Sequence, residues 1–193
     1  MNEPARHPRI SFITTCKGRL HHLKETLPLL MAEAPDEVIL VDYDCPQRAG
    51  AWTREHFPSV RVVDVRDAPV FSVSRARNLG AAVSTMPWLC FVDADVLVQP
   101  GWIGWMRANL RAGRFYIQRK ARPDQILPEA IGTFICPRAS FARVEGYDEV
   151  FTTWGGEDLD LYDRLTISGL TQSEYPDHFV RSIPHDDALR FAY

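Results

Sequence analysis

The chain has 193 residues, of which 46% are hydrophobic and 24% are charged, a composition typical of a folded domain rather than a disordered chain. Its 22 Lys and Arg against 25 Asp and Glu give a net charge of −3, which argues against a nucleic-acid binder, because such proteins usually carry a strong basic excess. No apolar run approaches the length of a membrane span, and residues 1–9 lack the apolar core of a signal peptide.

Strands and helices alternate in the first part of the chain. The predicted elements are a strand at 10–14, a helix from Leu20, strands at 38–41 and 60–65, a helix at 74–84 capped by Ser74, a strand at 88–92, and a helix opened by Pro100 and Gly101. Pro28 is expected to strain or shorten the first helix. The alternation predicts βαβ units and a mostly parallel sheet.

The alternation loosens after Gly113. The predicted elements there are strands at 115–118 and 132–136, a short helix at 138–144, and a helix at 157–168 that stops at Gly169. No internal repeat or domain linker is visible, which favours a single domain.

The cysteines are widely spaced and form no Cys-x-x-Cys pair. They are Cys16, Cys45, Cys90 and Cys136. This pattern predicts reduced thiols in a cytoplasmic protein, with neither a disulfide framework nor a zinc site.

The first acidic cluster, Asp93-Ala94-Asp95, follows the apolar strand predicted at 88–92. Ligands of open α/β sheets bind at the carboxyl ends of the strands, and two aspartates there suit a hard divalent cation. By itself the Asp-x-Asp pattern is weak, because it also arises by chance in acidic loops.

The second acidic cluster follows the glycine pair Gly155 and Gly156. Glu157 and Asp158 open a helical hydrophobic spacing, where the positive end of the helix dipole favours ionised carboxylates. Such a carboxylate can take a proton from a substrate hydroxyl. The alternative is that both residues only stabilise the start of the helix.

Four segments occur in the order seen in family 2-type glycosyltransferases of the GT-A fold. They are Ile10–Thr15, Ser74–Gly80, Asp93–Asp95 and Trp154–Asp158. The last segment, with the stretch 146–151 before it, also resembles the carboxyl-terminal part of β-1,4-galactosyltransferases and the catalytic modules of chondroitin-type polymerases. The resemblance runs from about residue 10 to about residue 187.

This resemblance implies an α/β GT-A fold, that of the nucleotide-diphospho-sugar transferases, with a mostly parallel central sheet flanked by helices. We expect a single domain over 1–193, with a nucleotide-binding half at about 8–112 and an acceptor-side half at about 113–193. The implied activity is metal-dependent transfer of a galactose or N-acetylhexosamine type sugar, as in polysaccharide biosynthesis. The donor would be a UDP-sugar and the acceptor a carbohydrate or glycolipid, with a peripheral membrane contact left open and no nucleic-acid partner.

The resemblance also assigns the metal ligands. Asp95 is the first choice, Asp93 the second, unless it acts through ribose or water, and His185 the third. A set of carboxylate, imidazole and phosphate oxygen suits Mn²⁺ better than Mg²⁺, although Mg²⁺ remains an alternative.

The residues expected to bind the nucleotide-sugar come from both halves of the chain. They are Thr14, Thr15, Arg19, Asp42, Arg75, Arg77, Asn78, Asp93, Asp95, Trp154, Gly155 and Gly156. Because Arg75 and Arg77 lie two apart on a helix, at least one is predicted to be a surface charge. Asn78 is expected to brace the loop that positions them, and Trp154 is either a plate for a sugar ring or a core side chain.

By resemblance, Asp158 is the base and Glu157 orients the acceptor, which implies an inverting displacement. Retaining N-acetylgalactosaminyltransferases share much of this layout, so the stereochemistry stays open. Two other classes also remain: a sugar nucleotidyltransferase, disfavoured because Thr14–Arg19 holds one glycine, and a non-catalytic nucleotide-sugar-binding module.

Overall fold

The computed structural model describes residues 7–152 and 155–184. Seven strands form one sheet in the order β3-β2-β1-β4-β7-β6-β8, and β5 and β9 form a second, two-stranded sheet. The elements are β1 Ile10–Cys16, α1 Leu20–Ala32, β2 Glu37–Tyr43, α2 Ala49–His56, β3 Arg61–Val65, α3 Val73–Val83, β4 Trp88–Phe91, β5 Val96–Val98, α4 Trp102–Asn109, β6 Arg114–Gln118, β7 Phe134–Pro137, α5 Arg138–Arg143, α6 Glu157–Ile167, β8 Thr171–Tyr175, a short 3-10 helix Asp177–Phe179 and β9 Val180–Ser182.

Most strands of the large sheet run in one direction, as predicted. β1 pairs in parallel with β2 and β4, β2 with β3, and β6 with β8, whereas β7 is antiparallel to both β4 and β6. The carboxyl ends of β1, β2, β3, β4, β6 and β8 therefore lie at the same edge of the sheet. That edge carries the candidate site.

Helices cover both faces of the sheet, because its central strands are apolar on both sides. β1 is buried along its whole length. On one face, the cluster around Leu27 of α1 and Trp102 of α4 packs on the sheet. On the other, the cluster around Ala76 of α3 and Leu161 of α6 does so. The result is a three-layer α/β/α architecture.

Two local predictions needed correction. α1 continues through Pro28 to Ala32; Pro28 is exposed, while Leu23, Leu27 and Leu30 hold the other side of the helix in the core. The cap of α3 is Ser72, whose Oγ accepts the Arg75 N–H at 3.3 Å. Ser74, the predicted cap, is buried inside that helix.

Within the described ranges, the helices fall short of the length and apolarity that crossing a bilayer requires.

Candidate active site

Arg77 lies at the centre of the carboxyl edge and joins the two acidic clusters. Its Nη1 donates to Asp158 Oδ1 at 2.7 Å, and its Nη2 donates to Asp93 Oδ1 at 2.7 Å. Arg77 is 3% exposed, so this contact is inside the protein. Asp93 from the end of β4 and Asp158 from the start of α6 are thus held by one guanidinium.

Tyr147 completes this cluster. Its hydroxyl donates to Asp158 Oδ1 at 3.0 Å and accepts from Arg77 Nη1 at 3.1 Å. The Arg77 guanidinium also lies 5.1 Å from the centre of the tyrosine ring, a favourable cation–π distance. The ring packs against Phe91, Phe134 and Phe141, which fixes the position of the hydroxyl.

Asn78 holds the backbone of Tyr147. Its Oδ1 accepts the Tyr147 N–H at 2.9 Å, and its Nδ2 donates to the Tyr147 carbonyl at 2.9 Å and to Glu149 Oε1 at 3.0 Å. Asn78 therefore braces the loop between α5 and α6, next to Arg77 on the same helix.

Gly132, in the loop between β6 and β7, lies directly against the cluster. A Cβ atom there would stand 2.5 Å from Arg77 Nη2, 2.8 Å from Asp93 Oδ2 and 3.2 Å from Asp158 Oδ2. The Gly132 backbone thus packs against the Oδ2 atoms of both aspartates. A side chain at this position would collide with Arg77 and Asp93, which explains the glycine.

The charges of the cluster are strongly coupled. Burial raises the pKa of Asp158, Arg77 opposes this, and Asp93 and Glu157 raise it further. Burial alone would lower the pKa of Arg77, but Asp158, Tyr147 and Asp93 together raise it well above its ordinary value. Burial also raises the pKa of Tyr147. Arg77 is therefore a permanent cation, Tyr147 a neutral donor, and Asp158 a stronger base than an exposed aspartate.

Glu157 and Asp158 differ in their contacts, although both begin α6. Glu157 is 2% exposed, and its Oε2 accepts the Gly155 N–H at 2.8 Å, a bond within its own turn. Gly155 and Gly156 have φ values of +115° and +92°, a region that favours glycine. Asp158 instead reaches across to α3, so it does more than stabilise the helix start.

Asp95 lies beside a different set of groups. Arg19 Nη1, from the loop that begins α1, stands 3.5 Å from Asp95 Oδ2, and the Ile183 N–H donates to the Asp95 carbonyl at 2.7 Å. The β1–α1 loop and the segment after β9 thus meet at Asp95.

Other predicted nucleotide residues lie at the ends of β1 and β2. Thr14 and Thr15 are 5% and 8% exposed. Asp42 is 2% exposed, and its oxygens accept the N–H groups of Cys45 at 2.8 Å and Gly50 at 2.7 Å. Asp42 therefore anchors the start of α2, a role that sequence reasoning missed.

The two arginines of α3 separate as the helical spacing predicts. Arg75 is exposed, and Arg77 is buried in the cluster. One of the two is therefore a surface charge, as predicted.

Whether a divalent cation can bind at this edge depends on which side chains could ligate it. Across 7–152 and 155–184, no three His, Cys, Asp or Glu side chains are grouped as a metal site. The predicted metal ligand His185 lies outside those ranges, and so does Trp154, which was predicted to stack on a sugar ring. The described donors are the carboxylates of Asp93 and Asp95. Asp93 is ion-paired with Arg77 and Asp95 with Arg19, and carboxylate oxygens are the ligand type that hard cations prefer.

Comparison with protein-family models gives two matches. The model described as glycosyl transferase family 2 covers residues 11–151, which is more than half of the chain. The model described as the N-terminal domain of galactosyltransferase covers residues 120–186, the part that holds Gly132, Tyr147 and Asp158.

Two curated relatives are validoxylamine A glucosyltransferases of Streptomyces hygroscopicus, subspecies limoneus and subspecies jinggangensis. Each is 42% identical over 237 residues, and the match covers 93% of this chain and 52% and 56% of theirs. The chain thus spans about half the length of the curated relatives it matches.

Solved structures share the fold at low sequence identity. A mannosyltransferase from Pyrobaculum calidifontis in complex with GDP-Man and Mn²⁺ has a TM-score of 0.73 at 18% identity, covering 94% of this chain and 59% of that one. S. aureus TarS 1–349 has a TM-score of 0.71 at 12% identity, covering 86% and 58%. These matches confirm the predicted GT-A fold.

Proposed function

The chain belongs to glycosyltransferase family 2, and we propose that it transfers a hexosyl group from a nucleoside diphosphate sugar to an acceptor hydroxyl. The observation that carries this proposal is the Arg77 bridge between Asp93 and Asp158. It holds Asp93 and Asp158, the proposed donor-side and acceptor-side carboxylates, together at the carboxyl edge of the sheet, where ligands of open α/β sheets bind.

Asp158 is the proposed base. The acceptor oxygen attacks the anomeric carbon, the bond to the nucleoside diphosphate breaks, and the hydroxyl proton passes to Asp158. Arg77 and Tyr147 both donate to Oδ1, so we assign the other carboxylate oxygen, Oδ2, to the proton. Direct attack with one base predicts inversion at the anomeric carbon, which the anomer of the product would test.

Arg77 is proposed to hold Asp158 and Asp93 rather than to contact the nucleotide. Its 3% exposure and its two carboxylate partners support this role. The positive charge keeps Asp158 ionised despite burial, because a nearby cation favours the charged form of a carboxyl group.

Asp93 and Asp95 would hold a divalent cation, with His185 as the further ligand that the sequence predicts. When bound, the cation supplies charge stabilisation to the departing diphosphate. The donor chemistry of the two carboxylates supports this, and the mannosyltransferase of similar fold contains Mn²⁺ together with GDP-Man. Arg19, beside Asp95, is placed to add positive charge to the same diphosphate.

The base and ribose are proposed to lie over the ends of β1 and β2, near Thr14 and Thr15. This position agrees with the proposed division of the chain into a nucleotide-binding half at about 8–112 and an acceptor-side half at about 113–193. Asp42 would act there indirectly, by fixing the start of α2.

A groove of about 340 Å³ at the same edge is the proposed site for the remote part of the acceptor. Its polar lining suits a hydroxylated ligand, and its residues are Gln99, Gln118, Ala121, Glu129, Asp177, His178, Val180 and Arg181. The volume is within the range of small-molecule sites. The loop after Gln118 leads to Gly132, and β9 leads to Ile183 beside Asp95, so both walls connect to the reacting centre.

The names of the curated relatives favour glucose as the sugar over the galactose or N-acetylhexosamine type predicted from sequence, and they direct the first acceptor screen to validoxylamine A. A thermal-shift panel of UDP-glucose, UDP-galactose, UDP-N-acetylhexosamines and GDP-mannose, with and without Mn²⁺, tests the donor. A ligand that binds only the folded state raises the melting temperature. A Mn²⁺-dependent rise with one UDP-sugar supports the proposal, and no rise with any donor would contradict it.

Asp95→Ala is expected to abolish Mn²⁺-dependent UDP binding while the fold survives, because Asp95 lies in the turn between β4 and β5. Titration calorimetry with UDP and Mn²⁺ measures this. Asp163→Ala, an exposed aspartate of α6, is the matched control and should bind as wild type. Unchanged Mn²⁺-dependent affinity in Asp95→Ala would remove Asp95 from the metal site.

Arg181→Gln is expected to raise the acceptor KM several-fold and leave kcat and UDP-sugar affinity near wild type, because Arg181 lines the groove away from Asp158. Steady-state kinetics with varied acceptor separate these parameters. Arg143→Gln, at an exposed position of α5, is the control. An acceptor KM that does not move would place the acceptor elsewhere.

A further inference from the structure

Two cysteines lie next to each other at the ends of β1 and β2, near the proposed donor site. They have no part in the proposed reaction. Cys16 is the last residue of β1, and Cys45 follows β2 by two residues. Their sulfur atoms are 4.0 Å apart. Cys16 is 0% exposed and Cys45 is 6% exposed, so the pair is enclosed with Cys45 on the outer side.

The two thiols are unequal. The hydrogen bond from Cys16 lowers the pKa of Cys45 to about 6, against the opposing effect of burial, and backbone N–H groups such as that of Gly18, 3.3 Å from the sulfur, lower it further. The same hydrogen bond, with burial, raises the pKa of Cys16 well above its usual value. Cys45 therefore has thiolate character beside a neutral Cys16 thiol.

The other two cysteines differ from this pair. Cys90 on β4 and Cys136 on β7 are both 0% exposed, and burial raises the pKa of each thiol. Since the thiolate is the reactive form of cysteine, these two provide an internal comparison of unreactive thiols.

We propose that Cys16 and Cys45 are a reversible disulfide site that responds to a peroxide. The Cys45 thiolate attacks one oxygen of hydrogen peroxide, the O–O bond breaks, and a sulfenic acid and hydroxide form. The Cys16 sulfur then attacks the Cys45 sulfur, the S–O bond breaks, and water leaves. In sum, two thiols and one hydrogen peroxide give one disulfide and two waters, and a dithiol reductant reverses the change.

Formation of the disulfide would shift the loop that precedes α1. A disulfide bond is about 2.05 Å long, so the sulfurs must approach by roughly 2 Å. Cys45 Sγ accepts the Gly18 N–H, and the next residue is Arg19, which faces Asp95. We expect the oxidised protein to bind donor nucleotide several-fold more weakly. This last step rests on the proposed function; the disulfide itself does not.

The test uses the wild-type chain. The folded protein is treated with dilute hydrogen peroxide, free thiols are capped with iodoacetamide, and peptides are mapped by mass spectrometry before and after dithiothreitol. The expected result is a peptide pair linked through Cys16 and Cys45, lighter by two hydrogen atoms and separated by dithiothreitol. Cys45→Ser should prevent the link, and Cys90→Ser should leave it.

Cys45 found as a sulfinic acid, or unmodified while circular dichroism shows a native fold, would overturn the disulfide site. UDP-sugar affinity of the oxidised and reduced wild type is then compared. Equal affinities would overturn the link to donor binding. A cross-link in a protein that binds no nucleotide-sugar even when reduced would support the thiol site and contradict the proposed function instead.

Discussion

Asp158→Asn is expected to reduce sugar transfer by about 10²–10⁴-fold and to leave UDP-sugar affinity within a few-fold, because the change removes a general base and little else. The amide oxygen of asparagine can still accept from Arg77 and Tyr147, so the geometry of the cluster should survive. Single-turnover transfer measures the chemical step, and calorimetry measures donor affinity. Since burial raises the pKa of Asp158, the loss of wild-type activity toward acid should begin above the pH range of an exposed aspartate.

Glu157→Gln, at the neighbouring residue, is the comparison variant for Asp158→Asn. The family resemblance gives Glu157 the role of orienting the acceptor, so Glu157→Gln should mainly weaken acceptor use. Near wild-type transfer in Asp158→Asn would remove Asp158 as the base and would direct attention to Glu157 or to a retaining mechanism.

Arg77→Ala is expected to lower the free energy of unfolding by about 3–5 kcal/mol, the usual cost of removing one partner of a buried ion pair. Most of this cost should come from Asp158, whose side chain is 11% exposed; Asp93 is 35% exposed and can be solvated. Urea denaturation followed by circular dichroism gives the difference.

Arg75→Ala is the control on the same helix. Because Arg75 is exposed, its effect should stay within about 0.5 kcal/mol. Equal stability of Arg77→Ala and Arg75→Ala would mean that Arg77 does not neutralise the buried carboxylate, and the proposed charge balance would fail.

The sheet could be predicted well from sequence because its central strands are buried on both faces. Runs such as 38–41 and 88–92 are continuously apolar, a pattern typical of strands in parallel sheets. Four of the strands and α-helices were missed. β5 and β9 have three residues each, the edge strand β8 is mostly exposed, and α2 depends on Asp42 from another strand. The N-cap of α3 is Ser72, two residues before the predicted Ser74, because serine is a suitable cap at either position.

The candidate site could be predicted only as separate acidic clusters. Arg77 and Asp158 are 81 positions apart in the chain, and no local spacing encodes their contact. Tyr147 and Gly132 were missed for the same reason, since each acts by where the fold places it. Tyr147 does fall within the stretch 146–151, whose family resemblance was the available signal.

Product analysis with UDP-glucose, Mn²⁺ and the acceptor screen tests the central claim most directly. The account predicts free UDP and a glycoside of a single anomer in equal amounts, with no pyrophosphate. Formation of UDP-glucose and pyrophosphate from UTP and glucose 1-phosphate would identify a nucleotidyltransferase instead. Donor that binds and stays intact across the whole acceptor screen would contradict catalysis and indicate a binding module.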